Sequence, residues 1–354
     1  MVSATSPKRK LIEKRLYFFV DVVIVFLGVG LILMVVNFSI YQSITNENAT
    51  ILGPVYYLVK AVVLLVALPV MLILSNYIME LQNEEISKIT PIIIIKNHLK
   101  LFSVKKKNTK YQLLYGFLLL FLLFIPLDCF TYILIPDMIM FQGEVLTSFN
   151  SNLYLTQDYG IFIISVLIIQ VCVAIYEETL IRGFITKRAT EHFNKLSAVI
   201  TSAFYFGLMH FAYIFNPISI NYPFWFPIIW FSQALFVGII LAFFMIKKKW
   251  ILPLIIAHAL NNIISAHAVW NYLQGNNFFL VFFYLYIPLL VGSVVFLVWQ
   301  FSRVKESVLD GLKELNRYFH KDTKIEQNSG DVVVRILFDL ILGLLIFGVG
   351  LLFV

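Results

Sequence analysis

Charge is scarce in this chain of 354 residues. Asp, Glu, Lys and Arg make up 13% of it and apolar residues 60%, against roughly 25% and roughly 45–50% in soluble domains. So many apolar side chains cannot be buried in one core surrounded by water, which excludes a soluble enzyme. With a mean hydropathy of +0.87, the composition predicts a polytopic membrane protein.

Cysteines and phosphate-binding loops are also scarce. Cys129 and Cys172 both lie inside apolar runs, which excludes a disulfide framework and a zinc site built from cysteines. The sequence has no glycine-rich loop of the Walker or dinucleotide-binding type. We interpret the net charge of +7 as a signal of membrane topology and expect no nucleic-acid partner.

Long apolar runs are abundant. Windows of about 20 apolar residues, enough for a helix to cross a hydrocarbon core of ~30 Å, recur nine times. We therefore predict an all-α bundle of transmembrane helices with about nine spans, eight being possible. The windows lie near 16–40, 51–77, 113–135, 160–184, 196–215, 226–246, 250–271, 278–300 and 333–353.

The positions of lysine and arginine support this count. These residues occur in alternate connecting segments, and cytoplasmic loops are the ones that carry positive charge. We therefore predict a cytoplasmic N-terminus and a multi-pass protein of the cell membrane, in contact with membrane lipids. The segments without any Lys or Arg are 42–50, 136–159, 216–225 and 272–277.

Spans and polar segments divide the chain into four predicted parts. A basic cytoplasmic tail is followed by N-terminal transmembrane helices, which include an interfacial segment on the cytoplasmic surface. A core with polar motifs comes next, and then C-terminal helices with a polar cytoplasmic connector. In order, these parts are 1–15, 16–135 with the interfacial segment 79–110, 160–271, and 278–354 with the connector 301–331, which has a short helix near 308–318.

Ionisable side chains inside spans are rare and usually functional, because each costs a few kcal/mol or more in hydrocarbon. The fourth span contains Glu177, Glu178 and Arg182. Glu178 lies four residues before Arg182, so the spacing predicts an ion pair within the helix. Glu177 points about 100° away from Glu178 and has no such partner. The alternative is that these charges mark a helix end near the headgroups.

Two further spans carry polar residues at a similar depth. His210 lies on the fifth span, and His258 and Asn262 lie on the seventh, four residues apart and thus on one face. A single intramembrane histidine is often a packing residue. Two of them at the depth of Glu177 predict a shared site.

Two other ionisable residues within apolar runs are assigned structural roles. We expect Lys60 to extend toward the headgroups. We expect Asp339 to pair with Arg335, four residues before it.

The polar residues of the three spans fit a hydrolytic site. A carboxylate can take a proton from water, an imidazole can orient that water or bind a metal, and an asparagine amide can donate to an oxyanion. Around a water-accessible cavity, Glu177, His210, His258 and Asn262 would suit the hydrolysis of an amide bond. We expect the site to open toward the lysine-rich, cytoplasmic side.

These residues resemble the motifs of the CPBP family of intramembrane proteases, named for CaaX proteases and bacteriocin-processing enzymes. That family includes CaaX prenyl endopeptidases of the Rce type and bacterial Abi-domain proteins, some of them linked to bacteriocin immunity. The resemblance covers about residues 160–270. It rests on Glu177-Glu178-x-x-x-Arg182, Phe206-x-x-x-His210 and His258-x-x-x-Asn262.

The resemblance implies a role for each residue of the first two motifs. Glu177 would act as the general base on the attacking water, and Glu178 with Arg182 would brace it. His210 would help to hold that water or a metal.

The third motif would supply the oxyanion site. In the resemblance, His258 and Asn262 stabilise the tetrahedral oxyanion. Whether a metal takes part stays open, since Glu177, His210 and His258 could also be three ligands of a catalytic Zn²⁺ with an open fourth position.

Three functions are compatible with this pattern. The leading hypothesis is an intramembrane endopeptidase that cuts a membrane-associated peptide or protein. The alternative is a scaffold that has kept the motifs and acts by binding, such as a partner of a sensor kinase or a bacteriocin-immunity factor. A secondary transporter ranks third, because the polar cluster occurs in one half of the chain only. The pattern indicates neither the substrate nor the oligomeric state.

Overall fold

The computed structural model describes residues 7–43, 49–82, 91–211, 222–320 and 329–352. Within these ranges every regular element is a helix and there is no strand, which confirms the predicted all-α class. The predicted loops 42–50 and 216–225 lie largely outside the described residues.

The described residues form fourteen α-helices, some joined end to end. Two 3₁₀ segments, Lys100–Phe102 and Asn150–Thr156, and two π-helical segments, Leu120–Phe124 and Thr179–Thr186, connect or extend them. The helices are α1 Pro7–Ser43, α2 Ala49–Gln82, α3 Pro91–Leu99, α4 Thr109–Leu119, α5 Ile125–Leu134, α6 Met138–Thr147, α7 Tyr159–Glu178, α8 Lys187–His192, α9 Lys195–Met209, α10 Trp225–Lys248, α11 Leu252–Leu273, α12 Phe278–Trp299, α13 Phe301–Phe319 and α14 Ser329–Leu351.

Eight helical stretches among the described residues are long and apolar enough to cross a membrane. They coincide with eight of the nine predicted windows, so the chain is a multi-pass membrane protein. The fifth window, 196–215, corresponds to α9, which is apolar but has only 15 residues. The sidedness of the N-terminus stays a prediction.

The short helix α9 lies inside the bundle, between α10 and α14. Small residues allow the close approach: a side chain on Gly238 of α10 would come within 3.1 Å of the Ala203 backbone on α9. A side chain on Gly343 of α14 would likewise come within 3.1 Å of the Thr201 carbonyl oxygen. Such small-residue contacts are the usual means by which membrane helices pack tightly.

Where the lysine-rich segments meet, buried ion pairs hold α1 to the rest of the bundle. The Asp21 carboxylate accepts hydrogen bonds from Ser75 of α2 and from Arg188 of α8. Arg188 also donates to Asn76 and, at 2.6 Å, to Glu191. We call this side of the bundle the basic end.

A second ion pair at the basic end corrects a prediction. Asp339 pairs with Arg15 of α1 and accepts a hydrogen bond of 2.9 Å from the Tyr318 hydroxyl. The predicted partner, Arg335, donates instead to the Tyr318 carbonyl oxygen at 2.6 Å. The prediction was wrong because spacing along one helix takes no account of partners from other helices.

The two predicted surface segments contain helices. In the segment 79–110, α2 continues to Gln82 and α3 follows after residues outside the described ranges. In the connector, α13 begins at Phe301, directly after α12, and is longer than the predicted 308–318. Its apolar side chains are exposed at Val308, Leu309 and Leu312, as in helices that lie along a membrane surface.

Candidate active site

Glu178 joins the first and third motifs. Its Oε1 accepts hydrogen bonds from Arg182 Nη1 at 3.0 Å and from His258 Nδ1 at 2.8 Å. Glu178 and Arg182 are fully buried, so the predicted pair lies inside the bundle. α7 ends at Glu178 and Arg182 lies in the π-helical segment that follows; such segments are frequent at functional sites.

Glu177 lines a cavity, whereas its neighbour Glu178 does not. The Glu177 side chain keeps 22% of its surface exposed, while Glu178 has none. The nearest cationic group is His258, whose Nε2 lies 3.8 Å from Glu177 Oε2. This separation is too long for a direct hydrogen bond and leaves room for a bridging water.

His210 occupies the first position after α9, where it caps the helix. Its Nδ1 lies 3.0 Å from the Phe206 carbonyl oxygen, and because a carbonyl can only accept, Nδ1 must carry the proton. In the neutral ring, Nε2 is then an acceptor. The sequence predicted His210 inside a full span, but the helix ends at Met209.

The Phe206 ring holds the motifs together. The Arg182 guanidinium lies 4.2 Å from its centroid, and the rings of His210 and His258 pack edge-on against it at 5.1 Å and 6.2 Å. An aromatic face stabilises a cation that has left water. Phe206 was part of the quoted motif, but the sequence assigned it no role.

The cavity brings all the predicted reactive groups together. It has a volume of about 740 Å³, within the range of small-molecule and peptide pockets. Glu177, His210, His258 and Asn262 all contribute to its wall. Arg182 and Glu178 lie behind this wall, as bracing residues would.

The cavity extends away from the basic end. Its wall includes Tyr57 near the start of α2 and Asn152 of the loop before α7, joined by a hydrogen bond of 3.4 Å. Both belong to the end of the bundle opposite the buried ion pairs of Asp21 and Asp339. The wall thus reaches the end of the bundle opposite the basic end, and the opening of the site toward the lysine-rich side stays a prediction.

Several polar residues of the wall were not predicted. Lys60 does not extend to the headgroups: its ammonium lies 4.6 Å from the Tyr176 ring centroid and lines the cavity. Asp128 and Gln233 line it as well. The rule that singled out Glu177 applies equally to Asp128, an acidic residue within the third predicted span.

The residues of the site do not form a metal centre. Among the described residues, no group of three or more His, Cys, Asp or Glu side chains is arranged to hold a metal ion. The proposed zinc ligands Glu177, His210 and His258 do not form such a group. Nδ1 of each histidine is engaged by another residue, which leaves Nε2 as the available ring nitrogen. We derive no step through a metal.

Residues 159–264 match the family model described as Type II CAAX prenyl endopeptidase Rce1-like. The match confirms the resemblance to CPBP proteases over α7 to α11 and supports a CAAX-type intramembrane protease. No curated protein and no solved structure matches the chain.

Proposed function

We propose that the chain is an intramembrane endopeptidase of the cell membrane that hydrolyses a peptide bond of a membrane-associated peptide or protein. The observation that carries the proposal is that two adjacent carboxylates differ in hydrogen bonding and in their exposure to the cavity. Glu178 is saturated at Oε1 by Arg182 and His258, while Glu177 faces the cavity without a direct partner. A free carboxylate beside a histidine and an amide is the arrangement that general-base hydrolysis requires.

In the proposed reaction, Glu177 takes a proton from a water held between its Oε2 and the neighbouring imidazoles. The Nε2 lone pair of His210 accepts the second hydrogen of this water, because the Phe206 carbonyl fixes the proton on Nδ1. The water oxygen attacks the carbonyl carbon of the substrate. Glu177 then passes the proton to the leaving amine, so it serves in turn as base and acid.

His258 and Asn262 stabilise the oxyanion that forms. The amide nitrogen of Asn262 donates to it, and so does Nε2 of His258 when both ring nitrogens carry protons. Glu178 stabilises the protonated ring, since its Oε1 accepts a hydrogen bond from Nδ1 of His258. With His258 protonated, the charges of the two glutamates, Arg182 and His258 sum to zero, which lowers the cost of burying them.

The proposal is tested by comparing membranes that contain wild type, Glu177→Gln or no protein. We expect wild type alone to release peptide fragments, identified by mass spectrometry of the membrane and soluble fractions. Glu144→Gln is the matched control, because this glutamate is exposed on α6, outside the cavity. Equal accumulation of all variants is checked by immunoblot.

The alternative of a non-proteolytic scaffold or regulator makes the opposite prediction. A scaffold needs the fold and not the general base. Glu177→Gln would then rescue a deletion strain as well as wild type does. Full rescue by this variant would refute the protease proposal.

The zinc alternative is tested separately on the purified protein. Because the described residues contain no assembled group of three donors, a metal-independent reaction predicts that 1,10-phenanthroline and EDTA leave cleavage unchanged. Loss of activity that returns when Zn²⁺ is added back would show that a metal takes part.

A further inference from the structure

Asp128 is an acidic residue of α5 in the cavity wall that the proposed reaction does not use. Its Oδ2 accepts a hydrogen bond of 2.9 Å from the Ser265 hydroxyl of α11. No Lys, Arg or His of the described residues forms an ion pair with it. A carboxylate in a membrane interior normally has a cationic partner, because an uncompensated charge there is costly.

Asn261 provides a second, independent feature beside Asp128. It is 8% exposed, lines the same cavity, and its side-chain oxygen has no hydrogen-bond partner. Ser265 and Asn261 are four residues apart on α11, so they lie on one face. A buried carbonyl oxygen without a donor is rare in a folded protein and calls for a ligand.

No ion pair neutralises Asp128 in the described part of the chain, although it lies in the cavity wall. The Ser265 hydroxyl donates to Asp128, and the Asn261 side chain interacts with it as well. The carbonyl oxygen of Asn261 receives no hydrogen bond. A group that carries several N–H donors and a positive charge complements both, and an alkylammonium group meets this description.

We propose that Asp128 and Asn261 form a subsite that binds an ammonium group of the substrate, which is either a lysine side chain or a free N-terminal amine. This inference rests on the proposed function, because it assigns the substrate class of the same cavity. The subsite favours a cationic peptide over a purely apolar one.

The register of α11 fixes the distance from the reacting groups. Ser265 follows His258 by seven residues, which is about 10 Å along a helix. An extended peptide rises about 3.3 Å per residue. The ammonium group therefore lies about three residues from the peptide bond that is cut.

The test uses the full-length protein in lipid nanodiscs and a set of decapeptides of leucine and alanine, acetylated and amidated at their ends. Each carries one lysine at a different position, and its matched control carries norleucine there, which has nearly the same shape without the charge. A further peptide has no lysine and a free N-terminal amine. Mass spectrometry locates each cut and gives relative kcat/KM values.

We expect lysine to raise kcat/KM by at least about tenfold over norleucine, equivalent to about 1.4 kcal/mol, and only when it lies about three residues from the cut. If the N-terminal amine is the recognised group, the unacetylated peptide shows this gain instead. Asp128→Asn removes the gain by deleting the charge. Asp137→Asn, which changes an exposed residue at the same end of the bundle, keeps it.

A binding measurement separates the two proposals. Fluorescein-labelled lysine and norleucine peptides are titrated into the Glu177→Gln protein, and anisotropy gives Kd. If no peptide is cut by wild type but the lysine peptide still binds about tenfold more tightly, proteolysis is refuted and the subsite stands. Equal kcat/KM and Kd for lysine, norleucine and free-amine peptides in wild type overturns the subsite, whether or not Asp128→Asn folds. So does a preference that survives Asp128→Asn.

Discussion

The buried charges at the basic end differ from those around the cavity in how fully they are paired. At the basic end, both oxygens of Asp21 and both oxygens of Asp339 accept hydrogen bonds. At the site, Glu178 Oε2, Arg182 Nη2 and the Asn261 side-chain oxygen have no partner. The carboxylates of Asp21 and Asp339 are thus saturated with hydrogen bonds, whereas the pair of Glu178 and Arg182 is not.

This difference separates structural charges from functional ones. A saturated buried ion pair fixes the position of its helices, and nothing else can bind to it. An unsaturated group beside a cavity costs stability, which is expected only where water or a substrate completes it. The comparison therefore predicts that substitutions at the basic end affect stability and that substitutions at the site affect activity.

The largest effect is expected for Asp339→Ala. This change leaves the buried Arg15 guanidinium without its carboxylate, and breaking a buried pair costs about 3–5 kcal/mol. The midpoint of thermal unfolding in detergent should fall strongly. Activity per folded molecule should stay unchanged, because Asp339 is at the basic end.

A double variant isolates the cause of this loss. Arg15→Met combined with Asp339→Ala removes both charges and should unfold at a higher temperature than Asp339→Ala alone. If the double variant is less stable than the single one, the loss comes from packing and not from an uncompensated charge.

Asn262→Ala should show the reverse pattern. Removal of one oxyanion donor typically lowers kcat by about 10²- to 10³-fold, whereas the unfolding midpoint should move little because Asn262 faces the cavity. Asn271→Ala on the same helix is the control: its side chain donates to the His267 carbonyl oxygen one turn before and accepts from Asn276, and it does not line the cavity. Equal activity of the two variants would remove Asn262 from the site.

Glu178→Gln should fall between these two classes. The amide oxygen can still accept one hydrogen bond, so the fold survives, but the charge that balances Arg182 and His258 is gone. Both the unfolding midpoint and kcat should decrease, each by less than in the variants above. If stability falls without a change in kcat, Glu178 belongs with the structural charges of the basic end.

The sequence predicted those parts of the site that depend on spacing within one helix. Glu178 and Arg182 are four residues apart and pair as expected. His258 and Asn262 share a face and reach one cavity. Both relations follow from helical periodicity, and at neither position does a residue of another helix replace the predicted neighbour.

Relations between helices could not be predicted in this way. Asp339 pairs with Arg15, which is 324 positions away in the chain. Arg335, four positions before Asp339, donates to the Tyr318 carbonyl oxygen instead. Lys60 was expected at a headgroup but lies over Tyr176 of another helix.

The smallest effect concerns His98 in α3, outside the membrane-spanning helices, and appears only below neutral pH. Burial, with a lesser contribution from the Lys187 ammonium, lowers the pKa of His98 from 6.5 to about 4. Between these two values the unfolded chain binds a proton that the folded protein does not. Acidification therefore stabilises the unfolded state relative to the folded one, and the free energy of unfolding falls as the pH drops from 6.5 toward 4.

His98→Phe keeps an aromatic ring beside Phe102 and removes the titrating group. We expect the unfolding midpoint of this variant to fall less steeply between pH 6.5 and pH 4 than that of wild type, with similar midpoints for the two proteins at pH 8. His320→Gln, a change at an exposed histidine after α13, should leave the wild-type slope intact. An unchanged slope in His98→Phe would mean that groups other than His98 dominate the acid sensitivity of the protein.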